Sequence, residues 1–142
     1  MTKTAFLFAG QGAQYLGMGR DLYDHYPIVK ETIDQASQVL DYDLRDLIDT
    51  DETKLNQTRY TQPAILATSV AIYRLLKEKG YQPDMVTGLS LGEYSALVAS
   101  GALDFEEAVA LVAKRGAYME EAAPAGSGKM VAVLNTPVDV IE

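Results

Sequence analysis

Apolar residues recur at helical spacing early in the chain. Between Pro27 and Leu40 they follow one another at steps of four, three and four positions: Val29, Ile33, Ala36 and Leu40. This spacing places them on one face of an α-helix, and a proline suits the first helical position. Residues 27–40 are therefore predicted to form an amphipathic helix that packs on a core.

Three further segments have helical patterns. Residues 63–79 are apolar on several sides, which is typical of a buried helix. Residues 91–100 form a shorter apolar helix, and residues 104 to about 120 follow an acidic start that resembles a capping box. Residues 43–56 are more polar with short helical patterns, and we expect surface turns over the core there.

Short apolar runs between these helices predict strands. Residues 4–8 read as a buried strand that leads into the glycine-rich loop 10–14, and residues 84–88 and 130–134 read as two more strands. A helix start follows at residues 136–139, so the chain is expected to be part of a longer protein. Strands alternating with helices predict an α/β fold with a mostly parallel sheet.

Composition narrows the class of protein. The chain has 142 residues, the usual size of one domain, and it contains no cysteine, which excludes disulfides and thiolate metal sites. Its net charge of −8 argues against nucleic acid as a partner. The N-terminal apolar run is too short for a signal peptide and no membrane span follows. We therefore expect a cytoplasmic protein with no membrane partner.

The clearest chemical motif is Gly88-Leu89-Ser90-Leu91-Gly92, which fits the G-x-S-x-G pattern of a nucleophile elbow. A predicted strand precedes it and a predicted helix follows, as the motif requires. Glycine on either side lets the tight turn close without side-chain collision. Ser90 would then lie at the positive end of the helix dipole, where a developing oxyanion is favoured. The alternative is an ordinary serine in a glycine-rich turn.

Three motifs together resemble one known family. Residues 88–97 (GLSLGEYSAL), residues 8–14 (FAGQGAQ) and residues 61–64 (TQPA) are similar to motifs of the acyltransferases that load malonate onto acyl carrier protein. Two positions differ, since many members have histidine at Leu89 and proline at Ala9. The resemblance implies a hydrolase-like α/β subdomain over residues 1–125 and the truncated start of a small ferredoxin-like subdomain over residues 126–142.

The resemblance also implies roles for individual residues. Ser90 would accept the acyl group, and the backbone amides of Gln11 and Leu91 would form the oxyanion hole. A dinucleotide fingerprint is the competing interpretation of the loop Gly10-x-Gly12. It fails because Tyr15 stands where the third glycine belongs. A purely structural turn also remains possible for this loop.

Arg115 is a cation on an apolar helical stripe. It lies seven positions after Ala108, so it points within about 20° of the same face. A guanidinium there needs a partner, and its planar fork matches a carboxylate. The resemblance implies that Arg115 binds the free carboxylate of malonate. A snorkelling side chain or an ion pair with an acid of the chain are the alternatives.

A serine nucleophile also needs a base. The only histidine of the chain is His25, in a polar segment where a surface position is expected. The resemblance implies a catalytic histidine beyond residue 142, and it implies no metal or cofactor. The predicted function is malonyl transfer from malonyl-CoA to acyl carrier protein. A serine hydrolase or thioesterase and a non-catalytic module that binds acyl-CoA or carrier protein are the alternatives.

Overall fold

A computed structural model describes residues 2–141 of the chain. Met1 and Glu142, the outer ends of the two predicted subdomain segments, lie outside the described residues. The strands are β1 (Ala5–Phe8) and β2 (Met85–Gly88); the helices are α1 (Arg20–His25), α2 (Pro27–Leu40), α3 (Leu44–Thr50), α4 (Glu52–Leu55), α5 (Thr58–Glu78), α6 (Leu91–Ala99) and α7 (Phe105–Ala122). None of the helices described between residues 2 and 141 has the length and apolarity to cross a bilayer.

The two strands pair in parallel, with Ala5 opposite Met85. On one face, Phe6 packs edge-on against Tyr73 of α5 with 6.3 Å between ring centroids. On the other face, Leu7 is 78% exposed and Met85 is 57% exposed. The parallel α/β fold predicted from the sequence is thus confirmed, but the prediction of a buried first strand is wrong, because none of its four residues is buried. The helices that pack on this sheet cover only one side of it.

Helix α5 is the centre of the core, and it packs against α2, α6 and α7. Its middle is fully buried at Leu66, Ala67 and Val70. The helix begins at Thr58, five positions before the predicted start at Pro63. Pro63 removes one backbone donor in the second turn, which the helix tolerates here. The first turn closes because the backbone amide of Thr61 donates to the carbonyl of Gln57 at 2.8 Å, and the Thr61 hydroxyl donates to the carbonyl of Leu55 at the end of α4, at 2.5 Å.

The segment predicted to form surface turns contributes to the core. It folds into α3 and α4, with four buried apolar side chains: Leu44, Leu47, Ile48 and Leu55. Asp43 caps α3 by accepting a hydrogen bond from the amide of Asp46 at 2.9 Å. Asp51 caps α4 in the same way through the amide of Lys54, at 2.9 Å. The capping aspartates explain why this stretch looked polar although one side of it is buried.

The predicted third strand, residues 130–134, is not formed. In the stretch that the structure describes, these residues pair with no strand, and Met130 is 94% exposed. An extended segment becomes a strand only when a neighbour accepts its backbone hydrogen bonds. The predicted helix start at residues 136–139 is a single 3₁₀ turn, Val138–Val140. The sheet described between residues 2 and 141 therefore has two strands.

Candidate active site

Ser90 occupies the sharp turn between β2 and α6. Its backbone has φ 55° and ψ −114°, which is a region that non-glycine residues rarely adopt. Such strain costs about 1–3 kcal/mol and persists only where the surroundings enforce it. The side chain is exposed, at the N-terminal end of α6. The turn therefore presents the hydroxyl of Ser90 outward, at a helix end that favours negative charge.

Two glycines make this turn possible. A Cβ on Gly88 would lie 2.1 Å from the carbonyl carbon of Gly92. A Cβ on Gly92 would lie 2.1 Å from the carbonyl oxygen of Phe8, at the end of β1. No real side chain tolerates either distance, so both positions of the motif require glycine. The same contacts bring the end of β1 against the start of α6.

The glycine-rich loop lies beside the elbow. A Cβ on Gly10 would lie 2.9 Å from the carbonyl oxygen of Leu89. The side chain of Gln11 turns away and donates to the hydroxyl of Thr58 at 3.0 Å. Within residues 2–141, neither the backbone amide of Gln11 nor that of Leu91 donates a hydrogen bond. The two predicted oxyanion-hole amides are thus both free to bind an external acceptor.

Arg115 reaches the elbow from α7. Its side chain is half-buried, and Nη2 donates to the hydroxyl oxygen of Ser90 at 3.1 Å. Nη1 donates to Oε1 of Gln62 at 2.8 Å, and the guanidinium lies 5.3 Å from the centre of the Tyr94 ring. Among the described residues, no carboxylate lies within 4.0 Å of the Arg115 guanidinium. The alternative of an ion pair with an acid of this chain is therefore wrong within residues 2–141.

Two contacts fix α7 against α5 next to Arg115. A Cβ on Gly116 would lie 2.7 Å from the Cα atom of Arg59, so glycine allows the two helices to approach closely. One turn later, Glu120 accepts a hydrogen bond from the backbone amide of Arg59 at 3.0 Å. Burial favours protonation of Glu120, but the hydrogen bonds from Arg59 outweigh it and lower the pKa of that carboxyl. These contacts hold the part of α7 that carries Arg115 against the start of α5.

Two neighbours of Arg115 carry no role in the sequence analysis. In the sequence, Gln62 is part of the motif 61–64 and Tyr94 is part of the motif 88–97. The sequence holds no clear signal for Gln62, because it follows the polar Thr61 and lies one position before the predicted helix 63–79. An apolar groove of about 400 Å³ opens beside Arg115, lined by Leu111, Tyr118 and Met119.

His25 lies away from this cluster. It is the last residue of α1, is exposed, and its Nδ1 lies 2.7 Å from the carbonyl oxygen of Asp21. The prediction of a surface histidine is confirmed. Within residues 2–141 no set of three histidine, aspartate or glutamate side chains is arranged to hold a metal ion. The chemistry that the cluster offers is a strained serine, two free amides and a cation.

A family model for the acyl transferase domain matches residues 5–141. This chain belongs to that family. The match covers both the glycine-rich loop and the elbow, which the structure brings into contact. The elbow motif is therefore part of a match that covers most of the chain and not an isolated resemblance of five residues.

Curated relatives in the family share about half of the sequence. The chain is 48% identical to the malonyl CoA-acyl carrier protein transacylase of Bacillus subtilis over 143 aligned residues, which span 100% of this chain and 45% of the relative. It is 50% identical to the enzyme of the same name from Escherichia coli K12, over 94% of this chain and 44% of the relative. The chain spans somewhat less than half the length of these relatives.

Solved structures agree with the fold. A crystal structure named as MCAT from Streptococcus pneumoniae superposes with a TM-score of 0.94 at 91% identity, over 99% of this chain and 46% of the other. A complex of a type II polyketide synthase acyl carrier protein with its malonyl transacylase superposes with a TM-score of 0.84 at 50% identity, over 88% of this chain and 41% of the other. The hydrolase-like fold class predicted from the sequence is confirmed.

Proposed function

We propose that the protein containing this chain transfers a malonyl group from malonyl-CoA to the phosphopantetheine thiol of acyl carrier protein, in fatty-acid biosynthesis, through an ester on Ser90. The observation that carries the proposal is the position of Arg115, whose guanidinium lies 3.1 Å from the Ser90 hydroxyl with no carboxylate partner among residues 2–141. A cation held beside a nucleophile selects an acyl group that carries its own negative charge. Malonyl is such a group, and acetyl is not.

In the first half-reaction, the hydroxyl oxygen of Ser90 attacks the thioester carbon of malonyl-CoA. A C–O bond forms, the C–S bond breaks, and CoA leaves as the thiol with the proton that Ser90 gives up. The amides of Gln11 and Leu91 donate to the oxyanion of the tetrahedral intermediate. Arg115 binds the free carboxylate of the substrate, and this interaction replaces its hydrogen bond to Ser90.

In the second half-reaction, the thiol of the carrier protein attacks the seryl ester. A C–S bond forms, the C–O bond breaks, and Ser90 recovers its proton. Both half-reactions need a base that exchanges a proton with Ser90. We infer that this base is a histidine outside this chain, because His25 lies on the surface in α1 and the relatives are more than twice as long.

The proposal extends to the arrangement of the protein. Residues 1–125 would be the N-terminal part of the acyltransferase subdomain, and residues 126–142 the beginning of a small ferredoxin-like subdomain. The exposed apolar side chains of Val131 and Leu134 support this division, since further strands of such a subdomain would cover them. The chemistry requires CoA esters and carrier protein, which fits a cytoplasmic location.

The test uses the full-length protein and labelled malonyl-CoA. We expect a malonyl-sized mass increase on the peptide that contains Ser90, and its loss in Ser90→Ala. Added acyl carrier protein should then remove the label and carry it on its own phosphopantetheine. Ser95→Ala is the matched control, because Ser95 is a buried serine in α6, the helix that follows Ser90.

The two alternatives predict different results. A hydrolase or thioesterase would release free malonate at the same rate with and without carrier protein. A binding module would retain malonyl-CoA without a covalent mass increase. A mass increase that persists in Ser90→Ala would overturn the assignment of the nucleophile.

A further inference from the structure

We propose that Gln62 is a positioning residue that sets the orientation of the Arg115 guanidinium, and through it the preference for acyl groups with a free carboxylate. The inference rests on the proposed function and assigns a role to a residue that does not touch Ser90. Gln62 lies in the second turn of α5, and its side chain is fully buried. It is one of five buried polar or charged residues of the described chain.

Both ends of the Gln62 amide bind α7. Oε1 accepts the hydrogen bond from Nη1 of Arg115 at 2.8 Å, and Nε2 donates to the thioether sulfur of Met119 at 3.3 Å. Residues 115 and 119 are four positions apart on the helix, so one amide spans a full turn of it. A buried amide with only one hydrogen-bond partner would be costly. The contact of Nε2 with Met119 therefore holds the amide in the orientation in which Oε1 faces Arg115.

The contact decides which edge of Arg115 remains available. Gln62 occupies Nη1, and Nη2 points to the hydroxyl of Ser90. Within residues 2–141, Nε of Arg115 donates no hydrogen bond. Nη2 and Nε together form the side edge of the guanidinium, which can bind a carboxylate through two parallel hydrogen bonds. Gln62 thus leaves free the edge that lies next to Ser90.

Neutrality matters as much as geometry at this position. A carboxylate in place of the Gln62 amide would neutralise the guanidinium and compete with the substrate for it. The amide oxygen of Gln62 accepts the hydrogen bond without neutralising the guanidinium, so the positive charge remains for the ligand. The site therefore combines a buried neutral acceptor on α5 with a cation on α7, and this combination favours malonyl over acetyl.

The experiment is a double-mutant cycle in the full-length enzyme, with malonyl-CoA and acetyl-CoA as the two substrates. Gln62→Met keeps the length of the side chain and removes the acceptor. We expect kcat/KM for malonyl-CoA to fall by about tenfold or more, since a hydrogen bond to a charged group is lost. The value for acetyl-CoA should change by less than about twofold. In an Arg115→Ala background, Gln62→Met should add almost nothing.

Thr61→Val is the matched control, because Thr61 is equally buried one position earlier and bonds only the carbonyls of Leu55 and Gln57. Any fall in kcat/KM in this variant should be the same for malonyl-CoA and acetyl-CoA. The positioning role would be overturned if Gln62→Met lowered kcat/KM equally for the two substrates. It would also be overturned if the effects of Gln62→Met and Arg115→Ala were fully additive.

A second variant keeps the test decisive if Gln62→Met does not fold. Gln62→Glu retains an acceptor and should fold, but its charge pairs with Arg115 and should lower the ratio of malonyl to acetyl turnover. An unchanged ratio would overturn the proposal. Failure of the proposed function looks different, because then Ser90 takes up no malonyl group even in the unmodified enzyme.

Discussion

At the scale of single residues, the Arg115 side chain donates both of its hydrogen bonds to neutral oxygens, those of Gln62 and Ser90. We predict that Arg115→Ala in the full-length enzyme lowers kcat/KM for malonyl-CoA by about 30- to 5,000-fold, because a desolvated carboxylate loses its partner. The acetyl-CoA value should stay the same or rise, since acetyl leaves the guanidinium unpaired. Steady-state kinetics with both thioesters measure the difference.

Lys114→Ala serves as the control for that prediction. Lys114 is an exposed cation on the same helix and makes no salt bridge among the described residues. Its removal should leave kcat/KM for malonyl-CoA and for acetyl-CoA almost unchanged. If Arg115→Ala lowers kcat/KM equally for the two substrates, Arg115 supports the fold or binds the CoA portion instead.

Sequence reasoning reached part of this site. Ser90 could be placed from the glycine pattern because the steric demand of the turn is local. Helical spacing put Arg115 on the inner face of its helix, but periodicity says nothing about which helix it faces. The contact with Gln62 joins positions 53 apart in the chain. A pairing between two helices depends on tertiary packing, and no local pattern encodes it.

At the scale of elements, helices were predicted better than strands. Residues 27–40 form α2 with the predicted boundaries, because its apolar stripe decides its packing. The segment 130–134 has the composition of a strand, yet strand formation needs a partner that residues 2–141 do not supply. A proline typical of a first helical position predicts a start at Pro63, but α5 begins five positions earlier because the amides of Tyr60 and Thr61 already donate to the carbonyl of Gln57.

The carboxylate of Asp49 in α3 accepts a hydrogen bond from Arg20 of α1, and this contact predicts how the stability of the protein changes with pH. Burial favours protonation of Asp49, but hydrogen bonds from Arg45 and Arg20 outweigh it and hold its pKa below the ordinary 3.8. A carboxyl with a lower pKa in the folded state stabilises the protein above about pH 4, and this stabilisation is lost as the pH falls through the folded-state pKa. Asp49→Asn should therefore reduce the free energy of unfolding by about 2 kcal/mol at pH 7 and by much less near pH 2.

Urea denaturation at several pH values measures this difference. Asp24→Asn is the control, because Asp24 pairs with the same Arg20 at 2.9 Å but is 44% exposed. Its effect should stay below about 1 kcal/mol at every pH. A loss for Asp49→Asn that does not depend on pH would mean that packing, and not charge, stabilises this corner.

At the scale of the whole molecule, one face of the sheet is uncovered among residues 2–141. Leu7 and Met85 lie on this face, diagonally across the two strands, and are 78% and 57% exposed. We predict that residues 1–142 expressed alone bind an apolar dye and associate at micromolar concentration, because exposed apolar sheet surface favours contact between copies. Leu7→Thr with Met85→Thr should suppress both, since threonine retains the strand preference. Sedimentation velocity and dye fluorescence measure the change.

Leu134→Thr is the control for this prediction, because Leu134 is 79% exposed in the segment that follows α7. It should reduce association less than the pair on the sheet. If it reduces association more, the contact between copies is made by the C-terminal segment and not by the sheet.

The pairing of β1 with β2 also sets an order of events during synthesis. The amide of Thr4 donates to the carboxylate of Asp84 across 80 positions of sequence. At about 5–20 residues per second, a ribosome needs about 4–16 s to make the intervening chain. Helices such as α2 can form locally during that interval, but β1 waits without a partner. The first strand to be synthesised can therefore pair only after helices α1 to α5 have been made.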